Sequence, residues 1–197
     1  MAKIAIVYYS AYGHTYELAK AIEKGANEAG AETRLRKVKE LIPDEIVSTN
    51  KGLAYGRDLQ KEVKEASLED LLWADGIAFG TPTRFGSTTS QLKNFLDQTG
   101  PLWAKGSLAG KVAAFFTGAS TAHGGHEATI LGLSTFAYHH GMLIMPMGYT
   151  IKGARNPYGP THVSGADGSI PVGEEEKRLA YEFGKNLATI AKKITGK

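Results

Sequence analysis

Short apolar runs alternate with amphipathic segments along most of the chain. Segments rich in β-branched and aromatic residues, each bounded by glycine, serine or proline, predict strands at residues 4–9, 32–38, 77–81, 111–117 and 142–147. Apolar positions that recur every three or four residues predict helices at 15–29, 91–97, 127–139 and 174–194. This alternation indicates right-handed βαβ units, and therefore an α/β fold whose parallel sheet has helices on both faces.

Five strands in this arrangement favour the flavodoxin-like order 2-1-3-4-5, in one domain spanning residues 1–197. Two segments interrupt the pattern. Residues 39–72 are charged and contain Pro43, with one helix expected near 60–72. Residues 148–172 are rich in glycine, proline and asparagine, and are too long for a passive connection. We interpret both segments as insertions into the domain.

Composition removes several classes of function. The chain has no cysteine, which excludes disulfides, thiolate nucleophiles and cysteine-ligated metals. Its 23 basic and 20 acidic residues are dispersed, unlike the clustered charge of nucleic-acid binders. The apolar runs are far shorter than the ~20 residues of a membrane span, and the first run is too short for a signal peptide. We therefore expect a cytoplasmic protein without nucleic-acid binding, membrane insertion or a metal site.

Candidate chemistry follows the predicted strands 1, 3 and 4. In an open parallel sheet, ligands bind beyond the carboxyl ends of the strands, at the point where the strand order reverses. The segments at these ends read SAYGHT (10–15), TPTRFG (81–86) and TGASTAHGG (117–125). We therefore expect small hydroxyl residues, glycines and aromatic residues to meet at one edge of the sheet.

The first of these segments has the features of an anion site. Gly13 allows a close backbone approach, and the free amides of the following helix favour negative charge. Hydroxyls of Ser10 and Thr15 add donors, and the absence of lysine suits a monophosphate held by neutral groups. The same residues equally suit an ordinary capped turn. Neither the P-loop nor the dinucleotide-binding glycine motif is present in the sequence.

The second segment, TPTRFG, can be interpreted in two ways, and the same is true of Tyr12, Trp103 and His139. Backbone amides around Thr83 and the charge of Arg84 suit the edge of a planar ring, but they also suit a simple turn with Arg84 in solvent. Tyr12 and Trp103 are candidates either for stacking on a ligand or for packing at the rim. His139 ends a predicted helix, where an imidazole either serves the site or caps the helix.

Longer motifs extend over nearly the whole chain. They are KIAIVYYSAYGH (3–14), FGTPTRFG (79–86), FLDQTG (95–100), LWA (102–104), GGHEATI (124–130) and HHGM (139–142). Together they resemble the tryptophan-repressor-binding protein (WrbA) family of type IV FMN-dependent NAD(P)H:quinone oxidoreductases. This chain departs from the family pattern at His126, where glutamine is usual.

The resemblance implies a complete set of site residues. The FMN phosphate would lie on residues 10–15, the ring system would contact the second and third segments, and His139 would approach from another subunit of a homotetramer. Tyr12 and Trp103 would bind substrate, and His139 and Arg84 would be catalytic. The implied cofactor-binding residues are Ser10, Ala11, Tyr12, Gly13, His14, Thr15, Pro82, Thr83, Arg84, Phe85, Gly86, Thr117, Gly118, Ala119, Ser120, Thr121, Ala122, Gly124 and His139.

The implied reaction is a two-electron reduction of a quinone to a hydroquinone by ping-pong hydride transfer, with NADH or NADPH as co-substrate. The alternative is a one-electron carrier of the flavodoxin type, which binds FMN without being an enzyme. Such carriers are usually shorter and strongly acidic, whereas this chain carries a formal charge of +3. The sequence therefore favours the enzyme.

Overall fold

The computed structural model describes residues 1–196. The strands are β1 (Lys3–Tyr8), β2 (Glu32–Lys37), β3 (Gly76–Pro82), β4 (Val112–Ala119), β5 (Leu143–Ile144) and β6 (Thr161–Val163). The helices are α1 (His14–Glu28), α2 (Asp44–Thr49), α3 (Lys51–Leu59), α4 (Leu68–Trp73), α5 (Ser90–Asp97), α6 (Gly100–Ala104), α7 (His126–His139) and α8 (Glu174–Thr195).

The sheet has the order β2-β1-β3-β4-β5 and is parallel throughout, which confirms the predicted flavodoxin-like arrangement. The fifth position is divided between two strands. β5 pairs with the start of β4, and β6 pairs with its end at Thr117–Ala119. The strand predicted at 142–147 was too long, because β5 covers only Leu143–Ile144. Pro146 has no N–H, so it cannot continue the hydrogen-bonded ladder. The structure adds β6, which lies inside the segment interpreted as the second insertion.

Alternating residues of the central strands build two separate cores. Ile4, Ile6 and Tyr8 face the side covered by α1 and α8. Ala5 and Val7 face the opposite side, covered by α5 and α7. Because both faces are buried, these strands appear in the sequence as continuous apolar runs.

The 39–72 segment folds differently from the prediction. It contains α2, α3 and most of α4, whereas the single helix expected near 60–72 was wrong over residues 60–67. The Asn50 side chain accepts from the Leu53 amide at 3.1 Å and caps the start of α3, a helix that was not predicted. Gln60 ends α3 by turning its side chain inward, where its amide donates to the Ser10 carbonyl at 2.7 Å. This segment is therefore tied to the loop after β1.

Candidate functional site

A cleft of about 650 Å³ opens at the carboxyl edge of the sheet, where the sequence predicted a binding site. Its size is within the usual range for small-molecule and cofactor sites. Loops after β1, β3 and β4 form three of its walls. The predicted residues that line it are Ser10, Ala11, Tyr12, His14, Thr15, Pro82, Thr83, Arg84, Gly118, Ala119 and Ser120.

The loop after β1 presents the start of α1 to the cleft. The Ser10 hydroxyl accepts from the Gly13 amide at 3.2 Å, and Gly13 takes a φ of +99°, which favours glycine. Among the hydrogen bonds of residues 1–196, no side chain caps this helix. Its first amides and the buried hydroxyl of Thr15 therefore remain available to an anion in the cleft.

The loop after β3 is fixed by backbone and threonine hydrogen bonds. The Thr83 amide donates to the Gly118 carbonyl at 2.8 Å, and its hydroxyl lies 2.5 Å from that of Thr129 on α7. Arg84 and Ser87 exchange two backbone hydrogen bonds, which close a tight turn around Phe85. Phe85 has a φ of +52° and is fully exposed, so a bulky side chain stands in solvent on a strained backbone.

The third predicted loop is shorter than expected, because β4 continues to Ala119. Thr117 is buried in the strand and donates to the Thr81 carbonyl at 2.6 Å, so it supports the cleft from below. Gly118, Ala119 and Ser120 line the cleft. Six further residues predicted in these three loops do not line the cleft, namely Gly13, Phe85, Gly86, Thr121, Ala122 and Gly124.

Two further walls were missed by sequence reasoning. Asn50, Gly52 and Tyr55 come from the 39–72 segment and line the cleft beside Tyr12. The loop 164–169 and His162 close the opposite side, at the phosphate end predicted from residues 10–15. The glycines at 165 and 168 are typical of a turn, but the sequence did not indicate that this turn would line the cleft.

His14 is the titratable group at the start of α1. Burial and the neighbouring His162 lower the pKa of His14. Hydrogen bonds with the backbone of Gly168 and Ile170 act in the opposite direction and offset part of this shift. The two imidazole rings stack with their centroids 4.9 Å apart. His14 is therefore held against the 164–169 loop as a predominantly neutral ring at neutral pH.

The loop after β1 also rests on a partly buried hydrogen-bond network. The Tyr9 hydroxyl lies 3.0 Å from both carboxylate oxygens of Glu40, and the Gln91 amide donates to both groups at 3.1 Å. Burial and the Glu40 carboxylate raise the pKa of Tyr9. Tyr9 therefore stays protonated and serves as a hydrogen-bond donor that anchors residue 40 to the sheet.

His139 and Trp103 lie away from the cleft of their own chain. His126, at the start of α7, donates toward the His162 carbonyl beside the cleft, whereas His139 ends the same helix 13 residues later. At 1.5 Å per residue, the two ends are roughly 20 Å apart. The Thr99 hydroxyl lies 3.0 Å from His140 Nε2, which places α6 and its Trp103 at that remote end. A contribution of either residue from another subunit remains a prediction.

Two kinds of feature are absent from the described residues. Across residues 1–196, no group of three or more His, Asp or Glu side chains is placed to hold a metal ion. No helix in the described part of the chain is long and apolar enough to cross a membrane.

Known proteins resemble this chain over nearly its whole length. A chain named NAD(P)H dehydrogenase (quinone) from Sinorhizobium fredii is 43% identical, covering 98% of this chain and 99% of its own. A chain of the same name from Aromatoleum aromaticum is 42% identical, covering 96% and 95%. A crystal structure described as a flavodoxin, WrbA-like protein from Agrobacterium tumefaciens has 25% identity and a TM-score of 0.69, covering 98% and 99%.

An archaeal flavodoxin has the same fold at 20% identity, with a TM-score of 0.64 and coverage of 96% and 99%. The family profile described as NADPH-dependent FMN reductase matches residues 2–155, which include the loops after β1, β3 and β4. With the fold, the position of the cleft and these similarities in agreement, the chain belongs to the NADPH-dependent FMN reductase family.

Proposed function

We propose that this chain is an FMN-dependent NAD(P)H:quinone oxidoreductase that reduces quinones to hydroquinones by two electrons. The observation that carries the proposal is the cleft, which joins an uncapped helix start to a wide, partly aromatic mouth. Full-length relatives named NAD(P)H dehydrogenase (quinone) support the same reaction. When bound, FMN would supply the hydride-transfer chemistry, while the protein supplies binding, orientation and charge.

The residues at the start of α1 fit a phosphate. The first amides of α1 and the Thr15 hydroxyl offer donors without a competing side-chain cap. Ser10 keeps the turn in shape through its bond to the Gly13 amide. The loop contains no lysine, so these donors would hold a terminal monophosphate rather than a triphosphate.

The mouth of the cleft fits a planar ring system. Tyr12, at 42% exposure, and Tyr55, at 62%, offer aromatic surface on one side. Pro82, Thr83 and Arg84 also line the cleft. The Arg84 guanidinium would stabilise the negative charge that two-electron reduction places on the ring, and electrostatic stabilisation of this kind is the main contribution of the protein.

The experiment that tests the proposal needs no partner protein. Purified apoprotein is titrated with FMN while flavin fluorescence is followed, and the complex is then mixed anaerobically with NADH or NADPH and afterwards with benzoquinone. We expect quenching on binding, loss of the flavin absorbance on reduction and its return with quinone, with parallel lines in initial-velocity plots. A one-electron carrier would consume almost no NADH with benzoquinone, and that result would refute the enzyme hypothesis in favour of the carrier.

We extend the proposal to a homotetramer in which His139 and Trp103 complete the cleft of another subunit. Both residues lie at the remote end of α7 and α6 beside exposed Tyr138, so they form a surface suited to a second copy. A mixture of Arg84→Ala and His139→Ala subunits tests this arrangement. If each site combines residues from two subunits, random mixing restores roughly a quarter of the wild-type sites; if both residues act within one chain, mixing restores nothing.

The location proposed for this enzyme is the cytoplasm. The proposal rests on the family's dependence on NAD(P)H. Cell fractionation with an antibody against the protein tests it, and recovery in a membrane pellet after a salt wash would contradict it.

A further inference from the structure

His162 is a buried histidine whose two ring nitrogens both face oxygen acceptors. Nδ1 lies 3.0 Å and 3.1 Å from the carboxylate oxygens of Glu176, and Nε2 lies 3.0 Å from the Ile170 carbonyl oxygen. A neutral imidazole carries one donor and one acceptor, so only the doubly protonated ring can donate both to an ionised Glu176 carboxylate and to the Ile170 carbonyl. The side chain is 1% exposed, and water therefore does not replace either partner.

The partner carboxylate is fixed in place. Glu176 lies in the first turn of α8 and also accepts from the Gly173 amide at 2.7 Å. Burial opposes its ionisation, but hydrogen bonds from His162 and Gly173 outweigh burial and lower the pKa of Glu176. A negative charge is therefore held close to the phosphate end of the cleft, where it would repel a bound phosphate unless a positive charge cancels it.

The ring of His162 also connects the walls of that end of the cleft. It stacks on His14, the first residue of α1, with the centroids 4.9 Å apart. Through Ile170 it holds the loop that closes the cleft, and its own carbonyl accepts from His126 at the start of α7. One buried side chain thus fixes the positions of the helix start and of the loop opposite to it.

We propose that His162 supports phosphate binding at this end of the cleft, because its protonated ring cancels the charge of Glu176. The inference rests on the proposed function, because it assumes that a phosphate-bearing flavin occupies the cleft. It assigns a role to the segment interpreted as the second insertion, which carries both His162 and the closing loop.

Charge can be separated from shape by substitution with glutamine. In His162→Gln, the two amide hydrogens can still donate to Glu176 and Ile170, but the positive charge is lost and Glu176 stays negative. At an effective dielectric constant of about 20, an uncompensated unit charge near a bound phosphate corresponds to a loss of roughly tenfold in affinity. In the double variant His162→Gln/Glu176→Gln, the pair is again neutral, and the penalty should disappear.

The test titrates the wild type, the single variant and the double variant with FMN and with riboflavin, which lacks the phosphate. We expect His162→Gln to weaken FMN binding roughly tenfold and to leave riboflavin binding unchanged, while the double variant returns to within about threefold of the wild type. An equal loss for both flavins, or no recovery in the double variant, would show a purely structural role and overturn the inference.

Two controls keep this result separate from other failures. If the wild type binds neither flavin, the proposed function fails before the role of His162 is tested. If His162→Gln does not fold, the ¹⁵N chemical shifts of the ring in the wild-type protein decide the question at pH 7. Two protonated nitrogens on His162 are expected, and a neutral ring would refute the charge balance.

Discussion

The sharpest steric prediction concerns Gly56, where α3 packs against the loop after β1. A Cβ at this position would lie 2.2 Å from the Ala11 carbonyl oxygen and 2.8 Å from the Tyr12 Cα. Both neighbours are backbone atoms, so neither can rotate away. Gly56→Ala therefore forces α3 and the loop apart by about 1 Å, the distance needed to restore ordinary van der Waals contact.

The magnitude follows from two opposing effects. Overpacking at a buried contact costs about 1–3 kcal/mol, whereas alanine gains up to about 1 kcal/mol over glycine within a helix. The net loss of about 1–2 kcal/mol corresponds to a fall in Tm of roughly 2–8 °C for a domain of this size. Because the displaced loop carries Ser10 and Gly13, we expect FMN affinity to fall about tenfold, the equivalent of one lost hydrogen bond.

Thermal unfolding of the apoprotein and FMN titration measure the two effects separately. Gly184→Ala is the matched steric control, because its Cβ would lie 2.0 Å from the Ile22 carbonyl oxygen at the α1–α8 contact. It should lower Tm similarly and leave FMN affinity within about twofold. Gly132→Ala, on α7 with open space around it, should raise stability by about 0.5–1 kcal/mol. Unchanged Tm and FMN affinity in Gly56→Ala would refute the packing argument.

Three further predictions address the rim, the outer sheet and the chemistry. Phe85→Asn should raise stability by up to about 1 kcal/mol, measured by calorimetry, because asparagine tolerates the positive φ of this exposed residue. If the aromatic ring of Phe85 contacts the substrate, quinone turnover in steady-state kinetics should also fall. Burial opposes the ionisation of Asp70, but hydrogen bonds with Ser67 and Arg34 outweigh it and hold its pKa below the ordinary value, so the stability that this carboxylate contributes is present at neutral pH and lost as pH falls through its folded-state pKa. Asp70→Asn should therefore lower Tm at pH 7 and progressively less as the pH is lowered below 4, and an equal loss at every pH would contradict the ion-pair explanation. Arg84→Ala should reduce kcat about tenfold or more with little change in FMN affinity, and unchanged kinetics would remove its proposed role in charge stabilisation.

The positions of the strands and of the three predicted loops were accessible from the sequence, because both depend on local patterns. Continuous apolar runs indicated strands buried on two faces, and the residues that follow them necessarily meet at one edge of a parallel sheet. The start of α1 was predicted within one residue, since Gly13 is a strong local signal. The family resemblance then indicated the chemistry that this edge of the sheet would carry.

The remaining walls of the cleft depend on contacts between residues far apart in the sequence. Gln60 reaches the Ser10 carbonyl from 50 residues away, and His162 brings together His14, Glu176 and Ile170 from three different segments. No local periodicity encodes such contacts. His139 shows the same limit, because only the tertiary structure revealed that α7 carries it to the end of the molecule remote from the cleft of its own chain.

By itself, the sequence determined the strand order, the edge of the sheet where the cleft opens and the donors at the start of α1, because short-range patterning and the rules of parallel sheets suffice for these. Only the tertiary structure decided how the two inserted segments close the cleft and which charges meet there. The reason is that packing fixes distances between segments whose separation along the chain carries no information about their separation in space.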